Sequence, residues 1–195
     1  MMTKNILLAG VGGQGLVLTT KLICDAAFSA GFDFKSNDVI GLSQRGGKVW
    51  GSVRIGVRVL SPNIPHGQAD VLLGLEPLEG YRWHGMVKEG GTVILNTSQI
   101  PPVPVVFEKA AYPNNIEAEL SGRYKVIAFD ANEEGRQIGS SKVANTFLVG
   151  VLAKSFPEID AVHWENAIRE NVPEKTIQTN LEAFKIGYDW RESSQ

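Results

Sequence analysis

The chain has 195 residues and a mass of 21.2 kDa, a length that fits one domain with its own core. An apolar share of 43% excludes a disordered chain, and 19 basic against 21 acidic residues leave no cationic excess to grip a nucleic-acid backbone. The single cysteine, Cys24, excludes an internal disulfide, a cysteine-rich zinc site and an iron–sulfur cluster held by this chain alone.

The N-terminal stretch has no signal-peptide cleavage region. No apolar run reaches the roughly 20 residues of a membrane helix. A cytoplasmic protein without membrane or nucleic-acid partners is therefore expected. Glycine stands out at 21 of 195 residues, against a typical share of about 7%.

Asn5-Ile6-Leu7-Leu8-Ala9 is a short apolar run ended by glycines, the pattern of a buried parallel strand. Leu16, Thr20, Ile23, Ala27 and Ala30 then recur at spacings of four and three, one face of a helix that Gly31 stops. With a second strand over Phe32–Lys35, this order makes a βαβ unit and predicts a parallel sheet. Residues 40–51 form a polar, Gly-rich loop, and Val53, Ile55, Val57 and Val59 alternate, predicting a hairpin or long bent strand turning at Gly56. Ala69–Leu75 reads as a buried strand, and Glu76–Glu89 as a helix with Pro77 in its first turn.

Thr92–Leu95 follows the Gly90-Gly91 turn as a strand, and Pro101–Phe107 is an edge strand or connector. A short helix at Ile116–Leu120 precedes a strand at Tyr124–Phe129 that ends at Asp130. From Lys142 onward only helices are predicted: Val143–Ala153, apolar nearly all round and hence buried, then amphipathic Val162–Glu170 and Ile177–Tyr188. The expected fold is one α/β domain over residues 1–195. It is a mostly parallel sheet flanked by helices, a Rossmann-like open sandwich with a helical C-terminal third.

Two stretches carry candidate chemistry. Residues 10–15 read GVGGQG, a G-x-G-x-x-G match through Gly10, Gly12 and Gly15 with Gly13 and Gln14 between, placed after a strand and opening a helix. Backbone N–H groups and the helix dipole there favour a phosphate or carboxylate. A nicotinamide cofactor would also need an acid to hold the ribose about 20 residues on. Asp33 lies inside or before the second strand and Asp38 beyond it, so that half of the fingerprint is weak. Pure helix–sheet packing is the competing reading.

The second stretch is Ser43-Gln44-Arg45-Gly46-Gly47, where a hydroxyl, an amide and a guanidinium precede two permissive glycines. Arg45 could meet a carboxylate or phosphate with two parallel bonds, or it could be an exposed loop arginine. If both stretches follow strand C-termini, they meet at the sheet edge where open α/β folds bind ligands.

Other chemistry is missing. His66, His84 and His163 lack metal-ligand spacing, and neither a G-x-S-x-G elbow nor a phosphate-binding P-loop is present. Glu76 and Glu79 read as a solvated helix start, and Cys24 as buried and inert. A shaped ligand edge without a complete catalytic apparatus suggests a subunit of something larger.

Five stretches together resemble a known family: ILLAGVGGQG (Ile6 to Gly15), SQRGG (Ser43 to Gly47), SVRIG followed by SPNIPHGQADVLLGLEPLE (Ser61 to Glu79), GGTVILNT (Gly90 to Thr97) and KVANTFLVG (Lys142 to Gly150). The chain is similar to the gamma-type subunit or domain of the 2-oxoacid:ferredoxin oxidoreductases, in particular the small subunit of the indolepyruvate type. The resemblance implies oxidative decarboxylation of a 2-oxoacid, an aryl pyruvate such as indolepyruvate, to an acyl-CoA, with two electrons passed to ferredoxin. It implies that thiamine diphosphate, Mg and 4Fe–4S clusters sit on a large partner subunit, that coenzyme A is a shared ligand, and that the isolated chain is inactive.

The cofactor-contacting residues it implies here are Gly10, Gly12, Gly13, Gln14 and Gly15 with Ser43, Gln44, Arg45, Gly46 and Gly47, Arg45 being a structural or anion-contacting residue near the subunit junction. Lys48-Val49-Trp50 and Tyr81-Arg82-Trp83-His84 depart from the family pattern, and Trp50, Trp83 and Phe107 are expected as exposed interface residues. A stand-alone NAD(P)- or coenzyme A-binding protein is the alternative.

Overall fold

The hydrophobic pattern assembles around one six-stranded sheet. The computed structural model describes residues 2–39, 47–100 and 111–190. Among the described residues the strands, in chain order, are β1 (Lys4–Val11), β2 (Asp33–Val39), β3 (Lys48–Gly56), β4 (Ala69–Gly74), β5 (Val87–Asn96) and β6 (Lys125–Phe129). The helices among the described residues are α1 (Leu16–Ser29), α2 (Pro77–Trp83), α3 (Ile116–Ser121), α4 (Ala131–Ile138), α5 (Ala144–Ala153), α6 (Ala161–Asn171) and α7 (Ile177–Asp189).

The sheet order is β2-β3-β1-β4-β5-β6. β1, β4, β5 and β6 pair in parallel, as the βαβ pattern predicts. β3 is the exception. It runs antiparallel to both neighbours, so β2 points the same way as β1 but is separated from it by β3.

Alternate residues of β1 explain its unbroken apolar run. Ile6 and Leu8 face the core formed with α1, α5, α6 and α7, while Leu7 and Ala9 face the smaller core under α2 and α3. A strand covered on both faces has no solvent side to mark with polar residues. α5 is buried nearly all round, from Ala144 through Ala153, as its composition predicts.

Several sequence expectations shift. β3 ends at Gly56 and does not turn there into a second strand. The Val57–Val59 alternation lies in irregular chain: Val57 is 74% exposed, while the Val59 N–H donates to Asp33 Oδ2 at 2.7 Å. The predicted helix at Glu76–Glu89 stops at Trp83, passes through a 3-10 turn at His84–Met86 and becomes β5 at Val87. Val87 is buried and pairs with Ala69, so sheet pairing overrides helical propensity, and Gly90 at φ 67° takes the irregularity that follows.

One helix was not anticipated. α4 is capped by Asp130, whose carboxylate accepts from the N–H groups of Asn132 and Glu133, both at 2.9 Å. The predicted strand or connector at Pro101–Phe107 lies outside the described residues. No helix among the described residues is long and apolar enough to cross a membrane.

Candidate functional site

The glycine turn leaves the C-terminal end of β1 and opens α1. Gly13 and Gly15 sit at φ 97° and 85°, left-handed backbone that a side chain would strain. A Cβ on Gly10 would lie 3.0 Å from Gln14 Oε1 and 3.1 Å from the Leu75 Cβ, so this glycine allows close packing. Gln14 folds its side chain back over the turn. Its Oε1 accepts from the Val11 N–H at 2.7 Å and its Nε2 donates to the Leu75 carbonyl at 2.9 Å.

The Leu75 N–H in turn donates to the Ala9 carbonyl at 2.8 Å, and Asn145 Nδ2 donates to the Gln14 carbonyl at 2.5 Å. The Gln14 amide therefore clamps β1, β4 and the turn together, leaving backbone as the surface the turn presents. Asn145 belongs to the KVANTFLVG stretch, and nothing in its spacing signals this contact.

The first turn of α1 carries no side-chain cap and no acidic residue. Its N–H groups lie beside an apolar cavity of about 290 Å³, lined by Val11, Gly12, Gly13, Gly15, Leu16, Val17 and Val49. The Gly12 N–H donates to the Gly47 carbonyl at 2.7 Å, which ties the end of the second glycine-rich stretch to the first. Ser43, Gln44, Arg45 and Gly46 lie outside the described residues.

Next along the same sheet edge, Glu76 and Glu79 correct the expectation of a solvated helix start, being only 1% and 3% exposed. Glu76 caps α2 by accepting from the Glu79 N–H at 2.9 Å, and it also accepts from the Tyr112 hydroxyl at 2.6 Å and the Ile100 N–H at 3.3 Å. Burial and this hydrogen bond push the Tyr112 phenol well above its ordinary value. Glu79 pairs with Arg82, and its Oε2 is the buried side-chain oxygen without a hydrogen-bond partner among the described residues. The Glu-Pro-Leu-Glu spacing was the available signal, since a helix start that lies against β1 and β4 need not be exposed.

Burial raises the Glu79 carboxyl above the ordinary carboxylate range and the Glu76 charge adds to this, against the pull of Arg82 and Lys48. A raised folded value means that the protonated form fits the fold. The stability tied to this proton is present at acid pH and is lost as pH climbs through the folded value. Glu79→Gln removes that titration. The melting temperature of the variant minus that of the parent is expected to become more positive from about pH 4 to pH 8. A difference in melting temperature that is flat or falls with pH would overturn this.

The second half of a nicotinamide fingerprint is not assembled. β3 separates β2 from β1, so neither Asp33 nor Asp38 stands on the strand next to the glycine turn. The Asp33 carboxylate is held low by the Val59 N–H and by Lys35 at the start of β2. Asp38 accepts from the Thr20 hydroxyl at 2.9 Å, and burial raises its carboxyl. Cys24 is buried, with its thiol pushed up to about 12, as expected of an inert core cysteine.

Trp50 and Trp83 are half-buried rather than exposed. They pack in a tilted arrangement with ring centroids 4.9 Å apart, so the two stretches that depart from the family pattern meet in space. Phe107 lies outside the described residues.

A family model described as pyruvate ferredoxin/flavodoxin oxidoreductase matches residues 5–190. The chain belongs to this family. It is 37% identical over 195 residues to the indolepyruvate oxidoreductase subunit IorB of Pyrococcus horikoshii, covering 96% of this chain and 95% of that one. It is 39% identical over 192 residues to the IorB subunit of Archaeoglobus fulgidus, again covering 96% and 95%.

The fold is that of the gamma subunit of a keto/oxoacid ferredoxin oxidoreductase from Geobacter sulfurreducens, with a TM-score of 0.71, 24% identity, and 95% and 96% of the two chains covered. The chain is thus a small subunit of the 2-oxoacid ferredoxin oxidoreductase type, and a free-standing nicotinamide dehydrogenase is not favoured. Among the described residues of this oxidoreductase subunit no three His, Cys, Asp or Glu side chains cluster as metal ligands. With one cysteine, itself buried, the chain does not fit a resident iron–sulfur cluster.

Proposed function

We propose that the chain, as one gamma-type domain over residues 1–195, is the small subunit of an aryl-pyruvate ferredoxin oxidoreductase of the indolepyruvate type. The assembled enzyme cleaves the bond between the carboxyl and carbonyl carbons of the 2-oxoacid, releasing CO2. The acyl carbon then bonds to the sulfur of coenzyme A, and the two electrons released pass to ferredoxin. Thiamine diphosphate, its Mg ion and the 4Fe–4S clusters belong to the large partner subunit in the cytoplasm. The identity to IorB subunits over 95% of their length carries this reading.

The role proposed for this chain lies at the C-terminal sheet edge. Gly12, Gly13 and Gly15, held in shape by Gly10 and Gln14 and joined through Gly47 to Ser43, Gln44, Arg45 and Gly46, contact coenzyme A or its pyrophosphate at the subunit junction. The uncapped start of α1 and the cavity beside it support that placement. Exposed Val17 and Leu18 on the first turn of α1 give the junction its apolar part.

The test is anaerobic affinity purification of the tagged chain from its own cytoplasm, with iron and thiamine assayed in the same fraction. A co-purifying large subunit carrying both is the expected result, after which aryl pyruvates are tried as substrates with ferredoxin as acceptor. A chain that emerges alone and free of both would overturn the assignment.

A further inference from the structure

We propose that the cavity walled by Trp50 and Trp83 is a binding site for a small free molecule carrying a single aromatic ring. It lies on the α2 side of the sheet, opposite the face that packs against α1. Its lining is Leu7 from β1, Trp50 and Ser52 from β3, Ile64 with Asn63 from the chain after β3, Trp83 at the end of α2 and Met86 just beyond it. Leu7 and Ile64 are buried, so the space reaches down to the sheet.

Its volume is about 170 Å³. An apolar cavity of about 150 Å³ stays dry and accepts benzene. The Ser52 hydroxyl in the wall donates to the Pro62 carbonyl at 2.9 Å and Asn63 is exposed, so the floor of the cavity, at Leu7 and Ile64, is apolar. Aromatic chemistry follows from the two indoles, tilted at 41° to one another. A third ring can meet an indole in offset or edge-to-face contact, which an aliphatic molecule of the same volume cannot.

A free molecule is favoured over a partner's side chain by the surroundings. An interface anchor pocket sits within an apolar patch that the partner covers. None of the exposed large apolar side chains among the described residues, such as Val17, Phe28, Val57 and Leu60, lines this cavity.

The test is a titration of 4-fluorotoluene against the full-length chain, read by fluorine line broadening. Saturable broadening is expected, displaced by toluene but at least tenfold less effectively by methylcyclohexane. Ile64→Phe, which fills the space, is expected to weaken binding by at least tenfold. If that variant does not fold, Met86→Phe fills the cavity from the half-buried rim, with the same loss expected.

Absence of saturation, equal competition by methylcyclohexane, or unchanged binding in a folded filling variant would each overturn the proposal. The same titration on the assembled enzyme separates the two sources of a ring. Retained binding supports a free ligand, and a site blocked by assembly overturns it in favour of a partner's side chain.

Discussion

Replacing Gly187 by alanine is expected to lower the melting temperature of the chain by on the order of 10 °C. α5 and α7 cross where Gly150 and Gly187 let the two backbones touch. A Cβ on Gly187 would lie far closer to the Phe147 carbonyl oxygen than van der Waals contact allows and only 3.0 Å from its carbon. A Cβ on Gly150 would meet the Phe184 carbonyl oxygen in the same way and lie 2.7 Å from the Tyr188 nitrogen.

The obstacle is backbone, so no side-chain rotation relieves it and the helices must separate. Phe147 and Phe184 are fully buried beside this crossing, and separation would loosen the larger core around them. Overpacking of a core usually costs about 1–3 kcal/mol, and a clash against backbone belongs at or above the top of that range. Gly85→Ala is the control, because the nearest atom to its Cβ is His66 Nε2 at 3.7 Å. A Gly187→Ala protein that melts within 2 °C of the parent would refute the close crossing of α5 and α7.

Val17→Asp is expected to weaken assembly with the large subunit by at least tenfold while leaving the isolated chain at least as stable as the parent. Val17 is 51% exposed on the first turn of α1, at the rim of the glycine-turn cavity. A carboxylate there sits at the positive end of the helix, where it costs the free chain nothing and even favours it slightly. Buried against an apolar partner surface it must lose its water, and binding should weaken by at least tenfold, which is about 1.4 kcal/mol. Melting curves of the free chain and a pull-down of the partner separate the two effects. Unchanged assembly would move the junction away from this end of the sheet, whereas a fall in the free chain's melting temperature would make the residue structural.

Much of the glycine-turn edge was legible in the residues. GVGGQG after an apolar run marks a strand-to-helix turn because left-handed backbone at Gly13 and Gly15 requires glycine. SQRGG and ADVLLGLEPLE placed the chain in its family, and the Gly12–Gly47 bond joins the two glycine-rich stretches. The role of Gln14 was not legible. An amide beside a glycine turn looks the same whether it faces a ligand or folds back on Val11 and Leu75, and only the position of β4 decides. Glu76 and Glu79 were misread for a related reason, because carboxylates at a helix start are solvated unless tertiary packing covers them.

Local patterns determined the α/β class, the apolar strands β1 and β4, the buried helix α5 and the glycine turn, since each depends on residues close in the chain. Tertiary structure alone decided that β3 slides between β1 and β2, that α2 yields to β5 at Val87, and that Trp50 meets Trp83. Each of these is a contest between segments far apart in sequence. Sheet pairing and core burial outweigh the roughly 1 kcal/mol per residue or less by which local propensities of residues other than proline differ.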